Sequence, residues 1–71
     1  MAIFKGSKKA QIQDAIVFNL QGGPKSVESV VFDVALSLDV RISRVEAELT
    51  ELLSEGRVLI TEGSLSDPYT N

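Results

Sequence analysis

The chain has 71 residues, a net charge of -3 and 44% hydrophobic residues, which fits one small globular domain and is too apolar for a disordered tail. It holds no Cys and no His, which excludes disulfide staples, Cys/His zinc sites, thiol nucleophiles and ordinary catalytic triads; no enzyme, cofactor or metal is expected. No apolar run approaches the roughly 18 residues of a membrane span, and Met1-Ala2-Ile3-Phe4-Lys5-Gly6 lacks the features of a signal peptide, so the expected location is cytoplasmic.

In chain order, residues 1–6 read as an N-terminal arm. Ser7 is placed to cap a first helix running to about Gln21, with Ile12, Ala15, Ile16, Asn19 and Leu20 on one face. Gln21-Gly22-Gly23-Pro24 ends it, because Pro cannot continue a helix and Gly accepts the left-handed stop. Ser26 caps a second helix over about 26–37, with Glu28 in its first turn and Val27, Val30, Val31, Val34, Ala35 and Leu38 as its stripe. The valines are poor helix formers, but strict alternation would bury Asp33 beside Val31 and Ala35.

Leu38-Asp39-Val40 reads as a tight turn, since Asp tolerates the left-handed conformation. A third helix starts at about Arg41 or Ser43 and runs to Glu55 with Ile42, Val45, Leu49, Leu52 and Leu53 inward; Ser43 to Glu46 has the spacing of a capping box. Gly56 ends that helix. Arg57–Thr61 is β-branched and reads as a strand, Glu62-Gly63 as a two-residue hairpin turn, and Ser64–Ser66 as a short returning strand before a loose end. The expected core is Ile16, Val31, Ala35, Leu38, Val45, Leu49 and Leu52. Gly22-Gly23-Pro24-Lys25-Ser26 lacks the spacing and the preceding strand of a phosphate loop.

Helix, turn, helix, strand and hairpin together resemble the winged helix-turn-helix superfamily. The residues that carry the likeness are Ala35, Leu38, Val40, Val45, Leu49, Leu52, Gly56 and Val58. They supply a small residue, an apolar residue before the turn, a Val after it, then Val, Leu, Leu and a Gly before the wing. The likeness covers roughly residues 7–63 and leaves 64–71 as a returning strand and flexible end. It implies a mainly α fold with a small β-hairpin, a three-helix winged helix-turn-helix domain with a short wing. Two positions depart from the pattern: Asp39 stands at the usual turn glycine, and Arg41 at the usual Ser or Thr cap.

The resemblance implies double-stranded DNA as partner, a role in transcription regulation, and the third helix as recognition helix. Arg41, Ser43, Arg44, Ala47 and Glu48 are then expected on its exposed N-terminal part, with Lys25, Ser26 and Arg57 at phosphates. The alternative is a protein-interaction winged helix without DNA binding, since a fold does not decide a function. Charge leaves both open. Residues 1–44 carry a net +2 and residues 45–71 a net -5. Glu48, Glu51 and Glu55 oppose DNA if they face a groove, and Arg44–Glu48 could be a simple i,i+4 ion pair. Ile3, Phe4, Val17, Phe18 and Phe32 fall outside the cleanest stripes, which suggests a homodimer interface.

Overall fold

A computed structural model describes residues 7–68. Each amphipathic stripe becomes a helix: α1 spans Lys8–Asn19, α2 Val27–Leu38 and α3 Ile42–Ser54. Ser7 and Ser26 cap the first two. Their hydroxyls accept the backbone N–H groups of Ala10 and Ser29, each at 3.2 Å, and satisfy donors that a helix start otherwise leaves orphaned. α1 stops at Asn19 rather than near Gln21, because the chain turns at the buried Leu20 and Gly23 takes a φ of 124°.

Helices α2 and α3 close in the same way. Asp39 adopts a left-handed φ of 55°; its N–H donates to the Leu36 carbonyl at 3.4 Å, and that of Val40 to Ala35 at 3.0 Å. Gly56, at φ 75°, repeats the pattern with N–H bonds from Gly56 to Leu53 and from Arg57 to Leu52. The start of α3 corrects one expectation. The Arg41 carbonyl accepts the N–H groups of Arg44 and Val45 at 3.0 and 3.2 Å. The first turn therefore closes on Arg41, and Ser43 lies inside the helix instead of capping it. No side chain caps α3.

The wing is a hairpin of β2 (Leu59–Thr61) and β3 (Ser64–Ser66), shorter at its start than Arg57–Thr61. Glu62 and Gly63 both have positive φ, 51° and 83°, the geometry that matches strand twist in a two-residue turn. A third strand, β1 (Lys25–Ser26), has no counterpart in the sequence reading. It pairs antiparallel with β3, Lys25 against Leu65 and Ser26 against Ser64, so β3 is the central strand of the order β1-β3-β2. The Gly63 carbonyl accepts the Val27 N–H at 3.2 Å and ties the wing tip to the start of α2.

The core joins Ile12, Ile16 and Leu20 of α1, Val30, Val31, Val34 and Ala35 of α2, Val45, Leu49 and Leu52 of α3, and Val58 and Leu65 beside and within the wing. Leu38 is only partly buried against it. Ile42, expected inward, is 46% exposed, because at the first position of α3 it lies at the edge of the stripe. The fold is a three-helix winged helix-turn-helix arrangement, mainly α, with a short wing. No helix among the described residues is long and apolar enough to cross a membrane.

Candidate nucleic-acid interface

Helix periodicity sorts the side chains of α3 by direction. Val45, Glu48, Leu49 and Leu52 face inward and are buried. Ser43, Ala47, Thr50 and Ser54, spaced i, i+4, i+7 and i+11, are exposed on the opposite face. That outer stripe is small and uncharged.

Glu48 corrects the sequence reading: expected on the exposed part of α3, it is only 7% exposed. Burial of a carboxylate requires partners, and α1 supplies one. The Gln13 side-chain amide donates to Glu48 at 3.0 Å and to Glu51 at 3.4 Å. Arg44 Nε lies 3.5 Å from the second Glu48 oxygen, and Arg57 donates to the Gln13 oxygen at 3.3 Å. Lys9 donates to Glu51 at 2.6 Å and stands 3.9 Å from Glu48. The Lys9 hydrogen bond holds the Glu51 carboxyl below its ordinary value, and Glu51 in turn raises the Lys9 ammonium. Two of the three acids that oppose an anion on α3 are thus drawn toward α1.

A shallow groove opens where α1, the interhelical turn and α3 meet. Lys8, Arg41 and Arg44 line it together with Asp39, Val40, Ser43 and Ala47. Of the expected contacts, it gathers Arg41, Ser43, Arg44 and Ala47. Lys25 and Ser26 lie apart in β1, and the Ser26 hydroxyl is already engaged as the α2 cap. Arg57 is bonded to Gln13 of α1. Lys8 was not singled out by sequence. The signal was there, since Lys8-Lys9 places two cations in a first turn where the helix dipole disfavours them.

Of the expected dimer residues that are described, Val17 and Phe18 line one groove together and Phe32 lines another. Ile3 and Phe4 lie outside the described residues, and Val17 packs partly buried against the core. Phe18, 77% exposed, lines a groove with Leu36 between α1 and α2; Phe32, 54% exposed, faces Ile42 between α2 and α3. The chain matches no family model, no curated protein and no solved structure.

Proposed function

We propose that this chain is a winged-helix DNA-binding protein that regulates transcription, with α3 as its recognition helix. The observation that carries the reading is the pairing of an uncharged outer stripe on α3 with a groove bearing three cations, Lys8, Arg41 and Arg44, at the N-terminal end of the same helix. Small side chains let a helix approach base edges closely, and Arg can read guanine bidentately there. The inward turn of Glu48, paired with Gln13 and Arg44, and the engagement of Glu51 by Lys9 take two of the three opposing acids off the outer stripe of α3.

The test is a titration against a random-sequence duplex pool at about 50 and 200 mM salt. Each phosphate contact contributes about -0.9 to the slope of log affinity against log salt. Lys8→Ala is expected to flatten that slope by about one unit, weakening all sequences alike. Undetectable binding at the lower salt would overturn the reading.

A further inference from the structure

The flank of α3 away from the basic groove carries a second groove, of about 400 Å³, between α2 and α3. Val27, Val31, Phe32 and Ile42 form its apolar lining, and Glu28 and Glu46 are its charged residues; no Lys or Arg lines it. Phe32 and Ile42 are half in solvent. Large apolar side chains left together in water on two adjacent helices mark a contact surface.

The chemistry of the groove selects its occupant. Its lining comes from α2 and α3, with Val27, Glu28, Ser29 and Ile42 in their first turns, so it offers side chains and no open strand edge. An occupant must therefore satisfy its own backbone and present an apolar ridge, which an amphipathic helix does at spacings i, i+3, i+4 and i+7. Glu28 and Glu46 repel acids and nucleic acid and favour cations beside that ridge. We propose that the α2–α3 groove docks an amphipathic helix of a partner protein whose apolar ridge is bordered by Lys and Arg.

Two synthetic helical peptides of roughly 18 residues, long enough to hold a helix, test this against the full chain. Both carry Leu at i, i+3, i+4 and i+7; one borders the ridge with Lys and the other with Glu. Amide shifts are expected at Val31, Phe32, Ile42 and Glu46, with the Lys peptide bound about tenfold more tightly than its twin at low salt. Glu28→Gln combined with Glu46→Gln should abolish that preference, and Phe32→Ala should weaken both peptides while leaving shifts elsewhere unchanged. Equal affinity of the twins, shifts centred on another face, or no shift with either peptide would overturn the proposal. So would groove resonances that move on dilution without peptide, because a second copy would then be the occupant. Arg41→Ala should leave peptide binding intact, so failure of the DNA reading and failure of this one are separable.

Discussion

On one flank of α3, Lys8, Arg41 and Arg44 border a groove floored by Ser43 and Ala47; on the other, Glu28 and Glu46 edge one floored by Val31, Phe32 and Ile42. The residues of the two flanks alternate along the chain: Arg41, Ile42, Arg44 and Glu46 follow one another within six positions. The helix separates them by angle, cations to the α1 side and the apolar-acidic pair to the α2 side. A net charge of -3 is therefore no guide to either surface. A patch a few side chains wide is set by which residues share a helical direction, and screening confines its influence to about 10 Å.

The largest effect is expected where both flanks lose their common support. Leu49 is 5% exposed, in the buried stripe of the helix that both grooves share. Leu49→Ala is expected to lower stability by about 2–5 kcal/mol, a large share of the margin of a small domain, and to impair both binding activities together. Urea denaturation measures it, and a loss below about 1 kcal/mol would show that Leu49 does not join the flanks.

Arg41→Ala sharpens the comparison from the basic side. If Arg41 contacts a guanine bidentately, its loss should weaken specific DNA binding by about 1–3 kcal/mol and relax preference at one position. The melting temperature should barely change, since the side chain is exposed and caps nothing. Equal affinity for wild type and variant across a sequence pool would move the interface away from this flank.

Gly63→Ala probes the edge of the apolar side, because the Gly63 carbonyl holds the Val27 N–H. A Cβ there meets no atom within 4 Å, and the φ is 83°. The expected loss, about 1–2 kcal/mol of stability, is backbone strain alone. Calorimetry reads it; an unchanged transition would mean that the turn relaxes without strain.

The three helices and the hairpin turn were legible because their signals are local: apolar spacing, a serine before each of the first two helices, and Gly or Asp where the backbone must turn left-handed. β1 was not, because two residues carry no periodicity and their pairing depends on β3, some forty positions away. Glu48 is more instructive. Positions 45, 48, 49 and 52 follow the i, i+3, i+4, i+7 pattern of a buried stripe, so its spacing announced burial while its charge argued for the surface. Gln13, between Ile12 and Ile16, was hidden in the same way. What the sequence could not display was that these two side chains are each other's partners, 35 positions apart.

The smallest expected effect belongs to Lys9 and Glu51, the outermost pair of the network that draws Glu48 and Glu51 toward α1 and off the outer stripe of α3. Glu51 has its folded value held below the ordinary 4.5, chiefly by the Lys9 hydrogen bond. Its contribution to stability is therefore fully present above that value and is lost as pH falls through the depressed one. Lys9 is raised above 10.5, chiefly by the same bond; its share is present below 10.5 and is lost as pH rises through the raised value. The pair is solvent-exposed, so salt should screen it and both limbs should shrink in about 1 M salt. Glu51→Gln should remove the acid limb attributable to this pair while leaving Glu48 bonded to Gln13. Stability profiles of wild type and variant that run parallel from pH 6 down to pH 3 would show that Lys9 does not hold Glu51 against α1, and that the acid is free to turn toward the DNA face.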